Sequence, residues 1–235
     1  MGIFGDHLVV DTVLAKALER QGAKVVVALC DAQLPACHVS DSYAYAFAPG
    51  ASGRDRRQKA ICAACTAATA SLVHDSGLHY ASFSEGIAHA RSAAMGGPRT
   101  DDIADEVNSG IVRFAASSHP SVLDRLPQDV RQRYADGGAA ARDAIDGLLD
   151  LHRPDIVIAH HGIYVPQGIV QKAAKQRDIT FYSWHFGYRK STLIFSRDDT
   201  YHRELTLPLD RAFDKPLDEP SRERITQYLK SRITG

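Results

Sequence analysis

The sequence has no excess of charge of either sign. Its 235 residues carry 28 Lys plus Arg and 28 Asp plus Glu, and the pI is near 7.2. That balance lacks the basic footprint that neutralises a phosphate backbone, so a general nucleic-acid binder is not expected. Long apolar runs are missing too. Runs such as Val25 to Leu29 and Ile156 to Ala159 fall far short of the ~20 residues that span a bilayer as a helix. No basic segment followed by an apolar stretch opens the chain, so no secretory signal is read and a cytoplasmic location is expected. Repeats, low-complexity tracts and a distinct linker are absent. Cysteine is scarce: Cys30, Cys37, Cys62 and Cys65 are the only four, all in the first third.

What is present is ordinary globular material, 44% apolar and 24% charged, which excludes a disordered or collagen-like chain. Gly2 to Phe4 reads as a short strand and Gly5-Asp6 as a turn. His7 to Gln21 reads as a helix, with Val9, Val10, Val13, Leu14, Ala17 and Leu18 at helical spacing. Gly22 stands where a left-handed cap belongs. Lys24 to Leu29 is a β-branched apolar run, the pattern of a strand buried on both faces of a parallel sheet. Asp31 to Gly53 reads as irregular, Arg56 to His74 as a helix and His79 to Phe83 as a strand. Helices are predicted over Ser84–Ala94, Asp101–Ala116 and Gln128–His152. The sheet pattern then resumes with Ile156 to Ala159, a His160-His161-Gly162 loop, a helix over Pro166–Gln176, and strands at Asp178–Ser183 and Leu193–Ser196. Asp218 to Ser231 reads as a terminal helix. The expected architecture is one α/β domain over 1–235, a Rossmann-like parallel sheet with an inserted helical block at about 84–152.

The dinucleotide fingerprint G-x-G-x-x-G is absent: Gly2 and Gly5 are followed by His7, Leu8 and Val9, with no third glycine. What does stand there is GDHLVVDTVLAKALERQGAKVVVAL. This stretch resembles the opening of the N-terminal domain of GT-B glycosyltransferases, with its strand, Gly-His turn, amphipathic helix and "RGHEVTVV"-like phrase. The phrase LCDAQLPAC at Leu29 to Cys37 is similar to the "LCDG-x-LPAC" of a group of bacterial surface-polysaccharide glycosyltransferases. The later run DIVIAHHGIYVP from Asp155, then ITFYS from Ile179 and WHFGYRK from Trp184, follows the same outline. The resemblance covers almost the whole chain. It implies the acceptor-side half of a GT-B fold, acting in polysaccharide or capsule biosynthesis. A C-terminal donor-binding domain or a partner chain would bring the nucleotide-sugar.

In this reading His7 is the general base at the mouth of the first turn, flanked by Gly5 and Asp6. An imidazole that titrates near neutrality can take the proton of an acceptor hydroxyl. The alternative is a histidine that only caps or packs on its helix. His160, His161 and Tyr164 follow a buried strand, where polar groups face the crevice above an α/β sheet. They suit hydrogen bonding to an acceptor sugar or its phosphate, or else a plain loop contact. Adjacent histidines do not readily chelate one metal, and H-E-x-x-H is absent. His185, Tyr188 and Arg189 belong to the aromatic-basic run Trp184 to Lys190. There rings could stack on a sugar and an Arg fork could hold a phosphate, unless Trp184, Phe186 and Tyr188 are alternating core positions. Glu85 is a further candidate, or a helix-dipole partner.

Cys30-x6-Cys37 and Cys62-x2-Cys65 offer four thiols, enough for one tetrahedral zinc of structural kind. Reduced buried thiols and redox chemistry are the other readings. The alternative function is a non-catalytic, metal-stabilised binding module. A peripheral membrane contact is left open.

Overall fold

The computed structural model describes residues 5–37, 40–41, 51–92, 94–204 and 216–233, the side chains of 5, 51–55, 204, 232 and 233 excepted. The strand expected at Gly2 to Phe4 lies outside them. The chain divides into two compact units, Met1–Thr200 and Tyr201–Gly235.

The first unit opens with helix α1 (Gly5–Arg20). Gly5 and Asp6, expected as a turn, are instead its first residues. Acidic Asp6 there complements the exposed N–H groups of the helix start. The chain leaves α1 through Gly22 at φ 92°, a left-handed position that costs glycine nothing. Strand β1 (Val26–Leu29) follows, then helix α2 (Ala51–Asp75) and strand β2 (His79–Ser82). β1 and β2 pair in parallel, Val26 beside His79 and Leu29 beside Ser82. The alternation along β1 sends Leu29 and Val27 toward Ala15 of α1 and Val73 of α2, while Val26 faces a second core. Ala28 is exposed, so the apolar run is not buried throughout as its composition suggested.

The helical block comprises α3 (Phe83–Ala90), α4 (Ala104–Ala115), α5 (Pro120–Leu123) and α6 (Gln128–His152). Asp101 and Asp102 do not enter α4. The Asp102 carboxylate accepts from the N–H of Ala104 at 3.1 Å, which fixes a turn before the helix. α6 is the spine of the larger core: Ala141, Ala144, Ile145, Leu148 and Leu149 pack on Phe83, Ala81 and Ile169.

β3 (Ile156–His160), α7 (Gln167–Gln176), β4 (Thr180–Phe186) and β5 (Leu193–Arg197) complete this unit. β3 and β4 are parallel, with His160 beside Trp184. β5 runs antiparallel to β4, which corrects the expectation of a parallel sheet. The physical reason is the link: Gly187 to Thr192 closes on itself through a Gly187 N–H to Thr192 carbonyl bond of 2.8 Å. A parallel neighbour would need a crossover of a dozen residues or more. Among the described residues the strands form two sheets, β1–β2 and β3–β4–β5, so the fold is mixed α/β. β4 also runs on through Trp184, His185 and Phe186, beyond the predicted end at Ser183.

The second unit contains α8 (Tyr201–Glu204) and α9 (Glu219–Ile233). Ile225, Tyr228 and Leu229 of α9 are exposed. Among the described residues no helix is long and apolar enough to cross a membrane.

Candidate functional site

Histidine is the residue that the first unit concentrates. Helix α1 puts His7 in its first turn and Asp11 one turn later on the same face. β3 ends on His160, and the parallel register sets it beside Trp184. His161 follows with φ 76°, a left-handed backbone held by its N–H donating to the Trp184 carbonyl at 3.0 Å.

These placements bring the rings together. The His7 ring meets that of His160 edge-on at 4.1 Å and that of Phe186 at 5.0 Å. His160 lies 4.6 Å from Trp184 and stacks on His185 at 5.4 Å. His161 contacts His185 at 4.9 Å and Tyr164 at 4.9 Å. Five of the sequence-derived candidates, His7, His160, His161, Tyr164 and His185, therefore share one rim, at the carboxyl ends of β3 and β4 and the start of α1.

The rim is electrostatically unusual. Burial pushes the His160 imidazole down to about 3, and His7, His161 and His185 add to the shift because a cation among them would be repelled. Burial also lowers His7, with His185 acting in the same sense and Asp6 against it. Both rings are thus neutral at physiological pH. Beneath them the Trp184 indole N–H donates to the Asp11 carboxylate at 2.6 Å. Burial raises Asp11 to about 6, although that hydrogen bond pulls the other way. Trp184 is fully buried, so it supports the rim from below and is not a stacking surface for a sugar. Phe186 and Tyr188 are the exposed rings.

Of the remaining candidates, Gly5 and Asp6 open α1 next to His7, and Tyr188, Arg189 and Glu85 lie outside these ring contacts. Tyr188 and Arg189 are exposed on the β4–β5 turn, where the Arg189 carbonyl accepts from the Thr192 hydroxyl at 2.7 Å. Glu85 closes a capping box: its carboxylate accepts from the Ser82 N–H at 2.6 Å, and Ser82 in turn caps α3. Beside it Asp31 accepts from the N–H of Ser84 at 3.1 Å. Glu85 thus belongs to a second polar spot after β1 and β2.

None of the four cysteines is in a disulfide. Cys30 follows β1, with the N–H groups of Ala32, Gln33 and Leu34 directed at its sulfur, yet burial still raises its thiol. Cys62 is raised by burial and by neighbouring Cys30 and Cys65. Cys37 sits at a turn whose Asp41 is bound by Arg133 at 3.1 Å. Among the described residues no cysteine joins a group of three ligand atoms within 4.8 Å. The thiols as placed do not fit a closed tetrahedral zinc site, whose sulfurs need to lie about 3.8 Å apart.

Comparison with protein-family models, with curated proteins and with solved structures finds no match for this chain.

Asp11 is the member of the rim that reading the sequence missed. Its signal was its position four residues after His7 on a helix, which puts both side chains on one face. Nothing local marks it further, because the indole that covers it comes from position 184.

Proposed function

We propose that this chain is the acceptor-side part of a nucleotide-sugar-dependent glycosyltransferase, a GT-B-like half in which His7 serves as the base. The reading is supported chiefly by the meeting of His7 with His160, His161 and His185 on one rim. The resemblance of the sequence motifs supplies the reaction class, and the donor-binding half and glycan acceptor are parts of the same proposal.

In the reaction His7 accepts the proton of an acceptor hydroxyl. The hydroxyl oxygen forms a bond to the anomeric carbon of the donor, and the bond to the nucleoside diphosphate breaks, its electron pair leaving with the diphosphate. A depressed imidazole suits the first step, since it is unprotonated before the acceptor arrives. His161, Tyr164 and His185 orient the acceptor, and exposed Phe186 and Tyr188 offer rings to a sugar face. Glu85 has a helix-capping role here, and Arg189 is available to an anionic group on the acceptor. No step runs through the cysteines.

The test is nucleoside diphosphate release from a panel of nucleotide-sugars, with glycan acceptors and with the donor-binding half present. His7→Ala should lower turnover by roughly two to four decades. Unchanged turnover in a folded His7→Ala protein would remove His7 as base, and no donor consumption across the panel by the wild type would remove sugar transfer itself.

A further inference from the structure

We propose that His161 and His185 form a binding site for a late first-row divalent metal ion such as zinc, nickel or cobalt. The two residues reach one another from different strands: His161 just past β3 and His185 within β4. The fold thereby achieves what the adjacent pair His160-His161 cannot. A ligand nitrogen of His161 and one of His185 lie within 4.8 Å. Two imidazoles on a tetrahedral ion need nitrogens about 3.4 Å apart, from metal–nitrogen bonds of about 2.1 Å. With His185 held in place, rotation of the His161 ring about its own side-chain torsions is the movement that closes the difference.

A second observation concerns which nitrogen is offered. The Nδ1 of His185 lies 2.8 Å from the backbone carbonyl of Phe186. A carbonyl only accepts, so Nδ1 is the donor and Nε2 is the nitrogen through which His185 would bind a metal. A ring nitrogen held by a backbone carbonyl, with the other nitrogen left to coordinate, is the usual outer support of a metal-bound histidine. It fixes both tautomer and ring orientation before the ion arrives. The surroundings agree with this assignment. The rim supplies imidazole nitrogens and no thiolate, which favours zinc, nickel or cobalt over calcium or magnesium, whose ligands are oxygens. Water or a substrate oxygen would complete the coordination. The site stands apart from the cysteines and does not depend on sugar transfer.

The test uses the full chain, freed of metal by a chelator and titrated with cobalt(II). Cobalt on imidazole and water gives visible d–d absorption without the strong near-ultraviolet charge-transfer band of thiolate ligation. The expected result is one ion per chain with the imidazole spectrum. His161→Ala and His185→Ala should each weaken binding by roughly a hundredfold, whereas His79→Ala, on β2, should not. His185→Gln repeats the test with a side chain of similar bulk should His185→Ala fail to fold. Lack of binding by the wild type, a thiolate spectrum, or undiminished affinity in folded His161→Ala and His185→Gln proteins would each overturn the assignment. Because the readout is binding, the outcome is separate from that of the glycosyltransfer assay.

Discussion

Asp11 and Trp184 set the character of the rim from below. The indole N–H needs an acceptor once it is buried, and Asp11 supplies it at 2.6 Å. The carboxyl is held at about 6, against 3.8 in an exposed group. The folded state therefore holds a proton that the unfolded chain releases between those two values. Stability contributed by Asp11 is complete below pH 3.8 and is lost as pH rises through about 6. Asp11→Asn, which keeps an oxygen for the indole, removes that loss. Relative to wild type, Asp11→Asn should gain on the order of 2–3 kcal/mol between pH 4 and pH 7.5, measured by urea unfolding with chelator present. Equal differences at the two pH values would show that Asp11 titrates normally. His160 and His7 act with the opposite sign, because their depressed imidazoles leave the folded state short of protons as pH falls below 6.5. Comparing the variant with wild type at each pH separates the carboxyl from these rings, and Trp184, the only tryptophan, reports the unfolding.

At the scale of elements, α3 and α6 meet backbone to backbone, and glycine permits it. A methyl group on Gly147 would overlap the carbonyl oxygen of Gly86, and one on Gly86 would overlap that of Ala144. Backbone lies on both sides, so neither helix can yield by turning a side chain. Gly147→Ala should cost about 3 kcal/mol in urea unfolding. A cost below about 0.5 kcal/mol would mean the helices are not in backbone contact. The helix boundaries were legible where local chemistry fixes them. α6 runs from Gln128 to His152, as its pattern predicts, and α7 and β3 differ from expectation by one residue. Boundaries failed where a long-range partner decides. β4 continues through Trp184 to Phe186 because β5 pairs with those residues, and no local signal in WHF separates a strand end from a loop.

For the first unit as a whole, one buried ion pair joins the helical block to the β3–β4 half. Asp146 of α6 is fully buried and meets Arg177, after α7, at 2.9 Å. Its other contacts come from Thr100, whose N–H and hydroxyl donate at 2.7 and 2.5 Å. Arg177 also donates to the Ala173 carbonyl at 3.1 Å and to that of Pro98. Removing the carboxylate strands a guanidinium where water does not reach it. Asp146→Ala should therefore destabilise by about 3–5 kcal/mol, seen as a lower thermal midpoint, with Arg177→Met partly restoring it in the double variant. Full stability of Asp146→Ala would mean that water solvates Arg177.

The candidate site was half legible on the same grounds. His7, His160, His161 and His185 are chemically conspicuous and stand beside apolar runs, so residue type and strand-end position suffice to mark them. Glu85 and the four cysteines were equally conspicuous. Glu85 stays exposed and caps α3, and among the described residues the thiols do not gather into one ligand sphere. Composition and periodicity by themselves determined that the chain is α/β and where α6, α7 and β3 run, because burial of apolar faces at period 2 or 3.6 is a local property of the sequence. Only tertiary structure decided that position 7 meets position 160, that Trp184 covers Asp11, and that a ring nitrogen of His161 and one of His185 come within 4.8 Å. Those pairings join residues up to 173 positions apart, and strand register, which sets them, is written in no single segment of the chain.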